Sequence, residues 1–364
     1  MSAPAALAPE PQKLDAPPSG PVHTPWRRTV ALALGAGLAV VVILLAFLWP
    51  TVTSSVKDLP IAVTGSPAAV SAVTAQLDKS ADGALSLTTA SSRSEAVKLI
   101  ENRTVYGAIV LGDKPEVLTA SANGAAVSQL LGQLAAKLQA QAQQQADAAV
   151  QQAVAAGKAP AGTVAPKVTV AVTDVVPLAS TDARGLGLTA SSFPLVLGGM
   201  IGGVLISILV AGSWRRLTAV VVYAAAGGLA VTGIMQGWFG ILQGGFWANW
   251  LAVSLSMLAT SAFIVGMNAL LGRAGIAVGA VITVLIGNPL SSAAQPLQFV
   301  AAPWGEVGQC LVPGASVTLL RDLSYFPAAD VAFPWLVLLG WAAVGVVAML
   351  AGHFRNQEVS EAAA

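Results

Sequence analysis

Two short pieces of this 364-residue chain have the residue types that nucleotide chemistry uses. The first is Gly157-Lys158. A phosphate-cradling loop needs G-x-x-x-x-G-K-[ST], so that amides wrap the phosphates, the lysine reaches them and a hydroxyl holds magnesium. Here the upstream glycine is missing and Ala159 follows the lysine, and no other stretch supplies the pattern. The second is GLGLTA, Gly185–Ala190, which imitates a dinucleotide fingerprint. It follows no βαβ strand and runs straight into an apolar run, so it is rejected. Hydrolytic chemistry is equally short of parts. The two histidines, His23 and His353, lie at opposite ends of the chain. A Ser-His-Asp triad between them has no base. The single cysteine, Cys310, excludes an intramolecular disulfide and any multi-cysteine metal site. Asn102-Arg103-Thr104 matches a glycosylation acceptor, a tripeptide that also arises by chance. Three charges stand out inside an apolar stretch. Glu306 and Arg321 are candidates for a salt link, with Asp322 the remaining charge there. No catalytic, cofactor or metal site is expected.

The elements that position these residues are dictated by solvent. Hydrophobic residues make up 55% of the chain and charged ones 10%, well under the roughly 25% charge of a soluble domain. A net charge of +1 with no basic stripe gives no reason to expect nucleic acid. Six runs approach the roughly 20 residues that cross a bilayer: Val30–Trp49, Phe193–Gly212, Thr218–Gln236, Trp250–Leu271, Gly275–Leu290 and Phe333–Gly352. None holds Asp, Glu, Lys, Arg or His. The fifth is short. The first is longer than a signal-peptide core and lacks an Ala-x-Ala site, so it reads as a retained anchor. Arg27 and Arg28, Trp214-Arg215-Arg216, Arg273 and Arg355 all fall on one side if every run crosses. The short connection 237–249 on the other side has no Lys or Arg. This positive-inside pattern puts both termini in the cytoplasm, and tryptophans at the run ends mark the interfaces.

Residues 1–24, rich in Ala and Pro, read as a disordered cytoplasmic tail, and 354–364 as a second short tail. The spans fall at 25–50, 193–290 and 333–353. Residues 51–192 are the one sizeable soluble domain, outside the cell. Strands are expected at Leu59–Thr64, Leu85–Ala90, Tyr106–Leu111, Glu116–Ser121 and Lys167–Val176, with helices at Pro67–Lys79 and Ser94–Asn102. The alternation predicts a small α/β domain with a largely parallel sheet. Ala125–Ala156 reads as a long Gln- and Ala-rich helix with a stripe of Val127, Leu131, Leu134 and Leu138. It rests on its own domain or pairs as a stalk with a second copy.

The stretch Asn288–Phe326 is too apolar for a solvated loop and too broken by Pro289, Pro296, Pro303 and Pro313 for one helix. Irregular backbone at membrane depth is tolerated only where protein or a watery cavity satisfies it. Short helices are expected at Ser291–Val300, Gly305–Leu311 and Ala315–Leu323, with a turn forced at Pro313-Gly314. Residues 291–332 then form a re-entrant or lid segment. Asn288, Pro289, Pro303, Trp304, Pro313 and Gly314 mark an external gate, or a lid that shields span ends. Asn288 needs a polar partner if buried. Gly198, Gly199, Gly202 and Gly203 form two overlapping G-x-x-x-G pairs, for packing within the chain or between copies.

The order of these pieces resembles the permease subunits of ABC type-2 transporters, in the subgroup that includes the phage infection protein. The resemblance rests on "LPIAVTG", "SSRSEAVKLIENRTVYGAIVLG" and "PEVLTASANGAAVSQLL" in the external domain, and on "GNPLS", "PWGEVGQCLVPGA" and "LLRDLSYF" before the last run. It covers nearly the whole chain apart from the tail and the Gln-rich end of the long helix, and the ordered set carries it. The resemblance implies a six-span membrane protein with an α/β extracytoplasmic domain inserted after the first span. It implies a bacterial cell-membrane dimer, made of two copies or of this chain and a related permease. Each half would bind a separate cytoplasmic ABC ATPase that holds the ATP, and would export a hydrophobic or amphipathic substrate by alternating access. Membrane lipids surround it. Arg27, Arg28, Trp214, Arg215, Arg216 and Arg273 are the expected ATPase contact, although the link Ser213–Leu217 is very short for one. The competing reading is a non-transporting envelope receptor or scaffold that displays the external domain.

Overall fold

A computed structural model describes residues 24–362 except 82, 113 and 161. The tail read at 1–24 therefore lies outside the described residues up to His23, and so do the side chains of the 354–364 tail. The chain divides into two units, Met1–Leu45 and Ala46–Ala364. The helix α1, Trp26–Val52, runs from the first into the second.

The chain is mostly helical, and five helices are long and apolar enough to cross a membrane. They are α1 and four helices of the second unit, and each begins ahead of its apolar run. A helix has no reason to break where the membrane stops. Leu186–Leu209 starts seven residues ahead of its apolar run. Arg215 and Arg216, expected in a cytoplasmic link, lie inside the helix that begins at Ser213.

The described residues of the second unit open with a five-stranded sheet of order β2-β1-β3-β4-β5, formed by β1 Leu59–Thr64, β2 Leu85–Thr89, β3 Ala108–Val110, β4 Glu116–Thr119 and β5 Ala171–Asp174. Helix α2, Pro67–Ala81, links β1 to β2, and α3, Arg93–Glu101, links β2 to β3. Both crossovers give parallel pairs. The β3–β4 pair is antiparallel. The five-residue link 111–115 between them is too short for a parallel crossover, which takes a dozen residues or more. Helix α4, Ala125–Ala155, then returns the chain to β5, parallel to β4.

Strand alternation sorts the core onto two faces. Leu59, Ile61, Val63, Ile109 and Val117 meet Leu77 of α2 and Val127, Leu131 and Ala135 of α4 on one face. Ala62, Ala108 and Leu118 meet Ala96 and Ile100 of α3 on the other. The apolar stripe of α4 thus lies on its own sheet. Its glutamines have a similar use. Gln143 Oε1 accepts from Val168 N at 2.8 Å, and Gln139 Oε1 accepts from Val170 N at 3.1 Å. Two amides expected in a strand ladder are taken by side chains one helical turn apart, so β5 is shorter than the alternation suggests.

The helices of the second unit are α5 Leu186–Leu209, α6 Ser213–Thr232, α7 Phe246–Leu271, α8 Arg273–Ala280, α9 Trp304–Gln309, α10 Val312–Tyr325 and α11 Ala332–Ala362. Helix α6 continues as a π-helical stretch, Gly233–Trp238, and α8 as another, Val281–Gly287. Helix α7 is the hub, with α5, α6, α8, α10 and α11 packed around it. Its window is 78% buried, against 44% or less for the other four apolar helices, so it is the helix that the others enclose.

The fifth run, Gly275–Leu290, forms a shorter helix than the other five. Arg273–Gly287 is a shorter apolar helix of 15 residues, about 22 Å long at 1.5 Å per residue. Its last residue is Gly287, and Asn288 keeps helical angles, φ −71° and ψ −45°, before the chain turns away at Pro289. The turn expected at Pro313-Gly314 is absent. Both residues sit in the first turn of α10, where proline is tolerated because no helical partner awaits its missing N–H. The stretch expected as a helix at Ser291–Val300 keeps only a 3-10 turn at Leu297–Phe299.

Candidate functional site

Of the segments flagged by sequence, 288–326 makes contacts in every direction. Its two phenylalanines enter opposite faces of the sheet. Phe299 is buried in the core shared by α2 and α4, and Phe326 in the core shared by α3. Backbone joins in, with Ser55 N donating to Phe299 O at 3.1 Å. Between these anchors the chain dips into the bundle. Ser316 of α10 donates to Ser256 of α7 at 2.6 Å, and both are buried. Ser256 is ten residues in from Phe246, about 15 Å along the helix. At its other end, Tyr325 Oη donates to Ile241 O at 3.0 Å, in the link ahead of α7. Helix α10 therefore runs from the rim to roughly half the depth of the bundle.

The candidate gate residues separate into two groups. Asn288, Pro289, Pro313 and Gly314 gather in one knot. A Cβ on Gly287 would lie 2.9 Å from Pro313, one on Gly314 would lie 2.1 Å from Gly308 O, and one on Gly308 would lie 1.8 Å from Leu290 O. No side chain fits at Gly308 or Gly314, so the strands of the knot touch backbone to backbone. Asn288 O accepts from Ser291 Oγ at 2.7 Å, but the buried Oδ1 of Asn288 has no partner among the described residues. Pro303 and Trp304 lie apart on the rim, where Trp304 meets Trp49 edge to face at 6.4 Å.

The expected Glu306–Arg321 link is replaced by another. Arg321, 7% exposed, donates from Nη2 to Ala293 O at 2.8 Å. Asp322 takes the guanidinium of Arg103, which also sits over the Phe326 ring at 5.3 Å from its centre. Glu306 is exposed. Arg103 follows α3 with a left-handed φ of 57°, which turns the chain sharply after Asn102. Sequence reading noticed this tripeptide only for its asparagine. The one signal pointing at the pair was the isolation of Arg321-Asp322 in an apolar run. Nearby, burial pushes the Tyr106 phenol above its ordinary range.

At the far end of the bundle the basic residues part company. Arg216 donates from Nε to Val210 O at 2.7 Å and from Nη2 to Ser207 O at 3.0 Å, closing the C-terminus of α5. A cation is favourable there, against the negative end of the helix dipole. Asn268 of α7 also reaches Ser207 O, at 3.5 Å, so the α5–α6 and α7–α8 turns share this end. Trp214, Arg215 and Arg273 remain exposed on it. Arg27 and Arg28 lie in the first turn of α1, within the other unit. The four glycines pack inside the chain. A Cβ on Gly199 would lie 2.7 Å from Thr260, one on Gly203 3.0 Å from Ile264 and one on Gly202 2.0 Å from the Tyr223 ring. Tyr223 Oη donates to Gly198 O at 2.6 Å.

Among the described residues no group of three or more His, Cys, Asp or Glu is placed to hold a metal. The contacts run from the sheet, through α10, to the helix at the centre of the bundle. No protein-family model, no curated protein and no solved structure matches this chain.

Proposed function

We propose that this chain is the permease subunit of an ABC type-2 exporter in a bacterial cell membrane. The carrying observation is the opposition of two ends. The exposed Trp214, Arg215 and Arg273 cluster where α5, α6 and α7 meet, and the sheet with α10 occupies the other end. Positive charge favours the cytoplasm, so the first end faces inward with both termini and the sheet faces out. A separate ATPase docks at Trp214, Arg215 and Arg273.

Energy then has to arrive from outside the chain. The apolar cores of the spans carry no ionisable residue, and ion-coupled carriers depend on such groups. ATPase closure tilts the α5–α6 and α7–α8 turns. Helix α7 passes the motion to α10 through Ser256 and Ser316, and α10 moves the sheet and the knot at Gly308 as one piece. A second permease, identical or related, completes the pathway, and the cargo is hydrophobic or amphipathic.

Affinity isolation in mild detergent tests this. The full chain should bring down an ABC ATPase whose hydrolysis rises on binding, and Arg215→Ala with Arg273→Ala should weaken both effects. Isolation without any ATPase, from cells in which the chain still acts, would favour the receptor or scaffold instead.

A further inference from the structure

A groove of about 460 Å³ lies on the rim, between the outer end of α1, the approach to β1 and the 297–306 stretch. One part is apolar, lined by Leu297 and Val300. The other presents Lys57, Asp58, Glu306 and Gln298. Lys57, Asp58 and Glu306 are exposed. The side-chain oxygen of Gln298 is buried and has no partner among the described residues. Beside the groove stands the Trp49–Trp304 pair. Exposed Leu48, Val52 and Val307 flank those two rings. Tryptophans so placed mark the headgroup level of a bilayer.

We propose that this groove binds a phospholipid whose headgroup carries a primary ammonium. The charge pattern selects it. Lys57 offers one cation for the phosphate. The exposed Asp58 and Glu306 carboxylates offer acceptors for an ammonium, which donates through its N–H groups. A purely anionic headgroup would face two carboxylates against one lysine. A choline headgroup keeps its charge but has no N–H to donate. The acyl chains leave past the two tryptophans along the apolar side. The site is a fixture of the rim and stands whether or not the chain exports anything. It needs only that the apolar helices sit in a bilayer.

Native mass spectrometry of the delipidated full chain, titrated with phosphatidylethanolamine, phosphatidylglycerol and phosphatidylcholine, tests it. Phosphatidylethanolamine should bind about fivefold more tightly than phosphatidylglycerol, the worth of one or two exposed ion pairs. Asp58→Asn with Glu306→Gln should erase that preference. Asparagine tolerates the left-handed φ of 49° at position 58, so the backbone is kept. Equal binding of the three lipids, or a preference untouched in the double variant, overturns the proposal. If the variant does not fold, the wild-type chain decides by crosslinking with a phosphatidylethanolamine that carries a photoreactive headgroup. Labelling within 53–58 or 297–306 supports the site, and labelling confined elsewhere removes it.

Discussion

The Arg103 guanidinium grips the Asp322 carboxylate across 219 residues of chain, with the Phe326 ring beneath it. The pair ties the end of α3 to α10 at a place where both partners are largely shielded from water, with side-chain exposures of 16% and 4%. Removing one partner of a buried ion pair leaves the other uncompensated, which typically costs about 3–5 kcal/mol. Arg103→Ala should therefore lower the thermal unfolding midpoint sharply. Arg103→Met with Asp322→Leu should recover part of the loss, since no buried carboxylate is left unpaired, although buried Arg321 then loses its neighbouring negative charge. A single variant as stable as the wild type would show that the pair holds nothing.

Phe299 and Phe326 should behave as anchors on opposite faces. Each truncation to alanine should cost about 3–5 kcal/mol, the range for a fully packed aromatic. Hydrogen exchange separates them. Phe299→Ala should raise exchange first in α4 around Leu131, and Phe326→Ala first in α3 around Ile100, because those are the cores they fill. Identical exchange patterns in the two variants would contradict this assignment.

The sheet should carry an acid-sensitive contact. Arg93 donates to Glu116 at 2.7 and 3.1 Å, and Thr173 donates to the same carboxylate. The Arg93 hydrogen bonds, more than the Thr173 one, hold the Glu116 carboxyl below its ordinary range. A folded-state pKa lower than the unfolded one adds stability that is complete above the ordinary glutamate value, about 4.3, and disappears as pH falls through the depressed one. Unfolding midpoints should drop below about pH 4.3 more steeply for the wild type than for Glu116→Gln. Parallel pH profiles would show that the contact does not contribute.

Arg215 and Arg216 should separate cleanly although they are neighbours. Arg216 closes the carbonyls of α5, so Arg216→Ala should cost about 1 kcal/mol of stability, measured by thermal unfolding. Arg215→Ala should leave stability within about 0.5 kcal/mol, as exposed substitutions do, and act only on partner binding. Equal losses in the two variants would mean that the capping contacts are not formed.

Gly203 should resist any side chain. Its Cβ would meet Ile264 and the Ser261 backbone at 3.0–3.1 Å, so Gly203→Leu should push α5 off α7. Size-exclusion chromatography should show aggregated or unfolded material. A well-folded variant that has merely changed oligomeric state would move this glycine from in-chain packing to an interface between copies.

Much of the layout was open to inspection in the chain alone, because solvent is a local judge. A run such as Trp250–Leu271 must leave water wherever it goes, and the two-residue period of Leu59, Ile61 and Val63 marks one buried side of a strand. The glutamines at 139 and 143, by contrast, looked like low complexity until Val168 and Val170 lay against them. The fate of 288–326 was likewise a tertiary decision. Proline positions showed where helices must stop, but not that Pro313 would open one, nor that a 15-residue helix would end short and leave α10 to fill half the bundle's depth. Charge pairing was the least readable of all. Glu306 and Arg321 were close in sequence, yet Asp322 found Arg103 two hundred residues away, since a buried charge binds whichever opposite charge the packed elements bring within reach, and that is settled only when sheet and bundle meet.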